Sequence, residues 1–203
     1  MKLQPRPLFG ATFGVSAPVP EFVAMNTTLL ERADIGCLLV NSAVESSAVA
    51  SELVAAVRFA FPLEAGAIAD LHSHRLLWLT PRSWLLHCPV EEDWELARQI
   101  NEAFPDKRVH AALFTDYLCW FELFGSQAFN LLTEGGFVSL ERGGLGLGYA
   151  KRTSLAGIAA VVVHERPQTW LIGVERSRAI YFANWLRAAC VHDGVPLVRG
   201  TAF

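Results

Sequence analysis

Only three lysines occur in this chain, Lys2, Lys107 and Lys151, and Lys and Arg nowhere gather into a cluster. With a formal net charge of −3, that scarcity argues against a nucleic-acid groove, because neutralising phosphates takes basic residues concentrated on one surface. No apolar run reaches the roughly eighteen residues that a membrane-spanning helix needs. Near the start, Pro5, Pro7, Pro18 and Pro20 leave no continuous apolar segment for an export signal. Cysteine is sparse too. Cys37, Cys88, Cys119 and Cys190 stand far apart within apolar runs, the setting of reduced, buried thiols. These absences predict a cytoplasmic protein that binds neither membrane nor nucleic acid. Charged residues make up 18% of the chain against the usual quarter or so, which leaves more apolar surface than a solitary protein carries and implies a partner.

What is present is an internal echo. Ser83-Trp84-Leu85-Leu86 leads into a helical pattern with Trp94, Leu96, Ala97, Ile100 and Phe104, and Thr169-Trp170-Leu171-Ile172 leads into one with Ile180, Phe182, Ala183, Leu186 and Cys190, each 86 positions later. One recurrence in a chain of 203 residues reads as a duplicated α+β unit, since solenoid repeats are shorter and more numerous.

The remaining elements fit that reading. A strand is predicted at 35–40 and a helix at 46–58, where Val49, Leu53, Ala56 and Val57 share a face. Residues 75–79 and 83–88 form a hairpin around Thr80-Pro81-Arg82, followed by a helix over 91–104 with an acidic start at Glu91, Glu92 and Asp93. In the second half, strands at 109–114 and 117–124 flank Thr115-Asp116. A short helix at 126–134 ends at Gly135-Gly136, strands at 158–164 and 170–174 flank Arg166-Pro167-Gln168, and a closing helix spans 177–192. Strand, helix, hairpin and helix in each half predict two ferredoxin-like βαββα halves related by a pseudo-twofold, with pseudo-repeats at about 35–107 and 108–194. Residues 1–30, rich in Pro, Gly and Ser and without a clear period, read as an extended N-terminal arm preceding a domain over 31–203.

Several short segments, in order between residues 35 and 194, carry a resemblance. Phe61-Pro62 and then Leu77-Trp78-Leu79-Thr80-Pro81-Arg82-Ser83-Trp84-Leu85-Leu86 resemble the "LP … LWLGPDEWLL" signature of the gamma subunits of heterotetrameric sarcosine oxidase. Phe124-Gly125-Ser126-Gln127-Ala128 resembles that family's "LSGPRA", Thr153-Ser154-Leu155-Ala156 its "T-x-LA", and Val174-Glu175-Arg176-Ser177 with Trp185-Leu186 its "V-x-RS … WL". Two departures matter. The acidic turn of the signature is Thr80-Pro81-Arg82-Ser83 here, and the "KGCYxGQE" loop of folate-dependent tRNA-modifying relatives is replaced by Gly146-Leu147-Gly148-Tyr149-Ala150-Lys151-Arg152-Thr153-Ser154-Leu155.

The resemblance implies the fold of the folate-binding domain of aminomethyltransferases and the role of a non-catalytic gamma subunit. Its partners would be alpha, beta and delta subunits, which would hold FAD, FMN, NAD and tetrahydrofolate, and the complex would demethylate sarcosine oxidatively to glycine. A free-standing folate-dependent one-carbon enzyme and a small-ligand-binding module are the alternatives.

Residue chemistry within the chain offers few competitors. Asp70, His72 and His74 have the alternate spacing by which one strand face presents metal ligands, against the plainer reading of a polar lead into a strand. Gly143, Gly144, Gly146 and Gly148 lack a Walker lysine and depart from G-x-G-x-x-G, so they read as a loop. Ser154 with His164, or Cys119 with His110, can be drawn as nucleophile and base, yet all lie in apolar strand patterns where core packing is the ordinary outcome. Ser177 stands where it would cap the final helix. The tryptophans at 78, 84, 94, 120, 170 and 185 read as core or interface anchors, Trp84 and Trp170 at equivalent positions. No catalytic set and no metal site is predicted, and no cofactor-binding residue can be named.

Overall fold

The computed structural model describes residues 20–24, 27–57, 61–136 and 145–192. The chain divides into two compact units, one contiguous over residues 34–116 and one discontinuous, built from residues 1–33 and 117–203. In order, the elements are β1 (Pro20–Ala24), β2 (Thr27–Glu31), β3 (Ile35–Ser42), α1 (Ser46–Val57), β4 (Ile68–Leu71), β5 (His74–Thr80), β6 (Ser83–Pro89) and α2 (Asp93–Ala103). They continue with β7 (Val109–Leu113), β8 (Leu118–Gly125), α3 (Ala128–Glu134), β9 (Ala150–Leu155), β10 (Ile158–Arg166), β11 (Thr169–Glu175) and α4 (Arg176–His192).

The contiguous unit carries a five-stranded sheet ordered β4-β5-β6-β3-β7, and the discontinuous unit a six-stranded sheet ordered β1-β2-β8-β11-β10-β9. Every neighbouring pair is antiparallel. The α+β class holds, and each half is larger than βαββα by further strands.

The duplication extends to single hydrogen bonds. The Phe114 N–H donates to the Cys37 carbonyl at 2.8 Å, and at the equivalent place the Arg32 N–H donates to the Trp120 carbonyl at 2.8 Å. Ser42 N–H to Arg82 is matched by Gly125 N–H to Gln168, and Val90 N–H to Asp34 by Arg176 N–H to Tyr117. Both hairpins slip register at the same point, between Trp78 and Thr80 in one and between His164 and Arg166 in the other. Their outer turns agree as well, with His72 at φ 53° and Ala156 at φ 51°.

That correspondence reveals a reciprocal exchange. β2 is followed by β3, as β7 is followed by β8, so β2 and β7 each open one repeat. Yet β2 pairs with β8, and β7 pairs with β3. Each repeat lends its first strand to the sheet of the other. The strands expected at 109–114 and 117–124 exist, but they belong to different sheets, because the Thr115-Asp116 link carries the chain from one unit to the other.

The expected arm over residues 1–30 is corrected in part. Residues 1–19 lie outside the described residues, but residues 20–24 and 27–31 are strands, and Leu29 is fully buried in the core of the discontinuous unit beside Phe121, Leu123, Ile172 and Phe182. A five-residue strand is too short for its alternation to stand out among prolines. In the contiguous unit, Leu38, Val40, Leu53, Leu76, Leu86 and Ile100 pack round Trp84, whose indole N–H donates to the Pro62 carbonyl at 2.9 Å. Burying each such side chain contributes about 1.5–3 kcal/mol.

α2 shows how the helices lie. Asp93, Ala97 and Ile100 are buried, at the i, i+4, i+7 spacing of one face, whereas Trp94 is 61% exposed. The expectation that Trp94 joins the core face is therefore wrong by one residue, or about 100° of rotation. Its counterpart Ile180 on α4 is likewise exposed, beside a buried Ala179.

Candidate functional site

The possible metal set comes apart along the β4-β5 hairpin. Asp70 lies on β4, His72 occupies the turn in the left-handed region, and His74 lies on β5. Asp70 Oδ1 accepts from Arg75 Nε at 2.6 Å, and His74 Nε2 stands 3.0 Å from Glu92 Oε2. A strand would have put both imidazoles on one face, but the chain reverses between them. Among the described residues, no group of three His, Cys, Asp or Glu side chains is placed to hold a metal ion.

The nucleophile pairs are likewise not brought together. Ser154 pairs with Ala159, while His164 pairs with Trp170 five residues further along β10, a separation of about 17 Å at strand rise. The His164 ring stacks on Trp170 at 3.9 Å, and its Nδ1 lies 3.2 Å from the Leu145 carbonyl. Cys119 is buried in the discontinuous unit, with Sγ 3.5 Å from Glu31 Oε1, and His110 is an exposed residue of the contiguous unit.

Gly143 and Gly144 lie outside the described residues, and Gly146 and Gly148 form a turn tied to β10, where the Gly148 N–H donates to the His164 carbonyl at 2.8 Å. Ser177 falls inside the first turn of α4, which starts at Arg176, so the expected cap is displaced by one or two residues.

The departing turn of the "LWLGPDEWLL" segment has a clear structure. Arg82 donates to Glu45 Oε1 through Nε at 2.9 Å and Nη2 at 2.7 Å, and Ser83 Oγ donates to Asn41 Oδ1 at 2.6 Å. The cation that replaces an acid is thus joined to the mouth of α1 by an exposed ion pair.

A polar junction that sequence reading missed is built by Asp93 and Thr115. Thr115 Oγ1 donates to Asp93 Oδ2 at 2.7 Å and accepts from the Cys37 N–H at 3.0 Å, while Asp93 Oδ1 accepts from the Trp94 N–H at 2.5 Å. In the other repeat the equivalent residues are Ala33 and Ala179, so the pair belongs to one half alone. Only alignment of the repeats from β2 onward, rather than from β6, exposes it.

The outward faces of the two long helices differ most. On α2, Arg98 bridges Glu95 and Glu102 at 2.6 Å each. Hydrogen bonds from Arg98 and then Gln99 hold the Glu95 carboxyl down to about 2, and the same Glu95 and Glu102 contacts raise the Arg98 guanidinium. On α4, Arg178, Ile180, Tyr181 and Asn184 are exposed, and the 17 residues of that helix include no acid. Tyr181 is fixed by its hydroxyl, which donates to the Ala156 carbonyl at 3.1 Å.

Comparison with known proteins agrees with the sequence resemblance. The family model described as sarcosine oxidase, gamma subunit family, matches residues 42–192. Among solved structures, a chain of heterotetrameric sarcosine oxidase from Corynebacterium sp. U-96, in complex with pyrrole 2-carboxylate, is 25% identical. The match covers 85% of this chain and 88% of that one at a TM-score of 0.72. The glycine cleavage system aminomethyltransferase T from Bartonella henselae, 13% identical, shares the fold over 79% of this chain and 45% of its own at a TM-score of 0.62. No curated protein matches by sequence.

Proposed function

The chain belongs to the sarcosine oxidase gamma subunit family, and on that premise we propose that it is the non-catalytic gamma subunit of a heterotetrameric sarcosine oxidase. The observation that carries this reading is the match to a chain of such an oxidase over nearly the whole length of both. The complex converts sarcosine to glycine by oxidative demethylation, passes electrons through flavins to oxygen, and delivers the methyl carbon to tetrahydrofolate or releases it as formaldehyde. FAD, FMN, NAD and tetrahydrofolate reside on alpha, beta and delta partners in the cytoplasm, and this chain stabilises the large subunit.

The fate of the polar side chains supports a structural role. Asp70, His74, Asp93 and Glu122 are each engaged in an ion pair or hydrogen bond within one unit. No described helix is long and apolar enough to cross a membrane. The free-standing folate enzyme has no comparable support, because the stretch from Gly146 to Leu155 provides a turn and β9 rather than a reactive cysteine loop.

The test is coexpression with the flavin-bearing chains. This chain is expected to copurify with them in equal amount and to raise the yield of complex active on sarcosine, while the lone chain takes up no flavin. Stoichiometric flavin on the lone chain, or micromolar binding of tetrahydrofolate to it, would overturn the assignment.

A further inference from the structure

Two helices of one duplicated unit offer an internal comparison. α2 and α4 follow equivalent strands, bury equivalent residues and expose a large apolar side chain at the same place, Trp94 and Ile180. On α2 the exposed charges satisfy one another, with Arg98 between two glutamates. Pairs at i, i+3 and i, i+4 of this kind steady the exposed face of a helix in water.

α4 does the opposite. Arg176 and Arg178 stand in its first turn, next to the positive end of the helix dipole, where cations are disfavoured. Arg178 forms no ion pair among the described residues, and Arg187 meets the neutral Asn184 Oδ1 at 3.4 Å. Beside these cations lie Ile180, 54% exposed, and Tyr181, 52% exposed. The Tyr181 ring is held by its hydroxyl bond to Ala156, so little freedom is lost when another surface covers it. Arg178 and Arg187, neither of which meets a carboxylate among the described residues, flank this apolar area and give the face a positive charge that an acidic surface would complement.

We propose that the outward stripe of α4, formed by Arg178, Ile180, Tyr181, Asn184 and Arg187, is the seat of a partner segment that carries carboxylates beside an apolar side chain. The segment belongs to a larger subunit of the sarcosine oxidase assembly, so this proposal rests on the function proposed above. Charge complementarity selects the occupant: an acidic segment neutralises Arg178 and Arg187 and covers Ile180 and Tyr181, whereas a basic or uncharged one leaves both guanidiniums unmatched.

The test uses full-length chain coexpressed with the flavin-bearing chains. Wild type is expected to copurify with them. The double variant Arg178→Glu with Ile180→Ser is expected to retain wild-type circular dichroism, because both side chains are exposed, and to bring down about tenfold less flavin-bearing chain or worse. Arg178→Gln, which keeps helix propensity, should give a smaller loss and a flatter dependence on salt. Arg98→Glu on α2 should assemble like wild type. Equal recovery of wild type and the double variant overturns the α4 seat while leaving the subunit assignment in place. Failure of wild type to copurify overturns the assignment and the seat together. A self-associating lone chain that the double variant renders monomeric also overturns the proposal, because the occupant is then a second copy.

Discussion

A side chain at position 173 would collide with Trp120. An added Cβ on Gly173 would stand 2.7 Å from two atoms of that indole, and Trp120 is the residue paired across from it. In the other repeat the equivalent pair is Cys37 and His87, so a small residue on β3 faces a large one on β6 where a large residue on β8 faces none on β11. The two halves fill equivalent space from opposite sides. Gly173→Ala is therefore expected to cost about 1–3 kcal/mol, read as a lowered midpoint in urea, with Trp120→Phe in the same chain recovering part of it. A second expectation concerns Tyr117, whose hydroxyl donates to Glu175 Oε1 at 2.6 Å. That hydrogen bond, then desolvation and the carboxylate's charge, raises the phenol above the ordinary tyrosine value. A folded-state pKa raised in this way adds stability that is complete below the unfolded tyrosine pKa of about 10 and is lost as pH rises through the higher folded value. Ultraviolet titration should show one tyrosine ionising late in wild type and earlier in Glu175→Gln; identical curves would refute the link.

At the scale of elements, the two exchanged strands end their sheets differently. β2 is covered by β1, with Phe22 paired to Leu29. β7 is the edge of its own sheet, and there the Asn101 carboxamide does the covering: its Oδ1 accepts from the Ala111 N–H and its Nδ2 donates to the Ala111 carbonyl, both at 2.9 Å. One side chain takes the place of a strand. Asn101→Ala should uncover a short edge able to recruit another chain, so concentration-dependent association in sedimentation is expected, together with about 1–2 kcal/mol of lost stability. β2 is the complementary case. A chain beginning at residue 32 should lose the discontinuous unit, and Leu29→Ala alone should cost about 2–5 kcal/mol; retention of native near-ultraviolet circular dichroism by the truncated chain would show that β2 is dispensable. These two strands mark the limit of what the sequence discloses. β6, β11, α2 and α4 were readable because Trp84 and Trp170 with the following apolar rows recur at a constant offset. The partners of β2 and β7 were not, because antiparallel pairing leaves no local signal of which distant strand is met, and a two-residue Thr115-Asp116 link looks the same whether it turns a hairpin or changes sheets. The candidate residues behave alike: type is legible, but Asp70, His72 and His74 lose their shared face to a turn, and the pairing of Arg98 on α2, which Arg178 on α4 lacks among the described residues, depends on which side chains share an outward face.

For the whole molecule, reciprocal exchange means that neither repeat completes a sheet by itself. Cutting the chain between Asp106 and Lys107, an exposed turn with Lys107 at φ 60°, separates the repeats and leaves each without the strand it borrows. Fragments 1–106 and 107–203 are expected to be insoluble alone and to copurify as a folded pair when coexpressed; independent folding of either would contradict the exchange. The same connectivity has a consequence for synthesis on the ribosome. Every strand of the contiguous unit lies between residues 34 and 116, so β7 meets β3 as soon as it emerges. β2 is made far earlier, yet it pairs with β8, about a hundred residues downstream. The contiguous unit can thus mature on the nascent chain while Leu29 still awaits its neighbours. During translation the segment most exposed to mispairing or proteolysis is therefore this early strand, and a slow stretch of codons after residue 116 would lengthen its wait without delaying the contiguous unit.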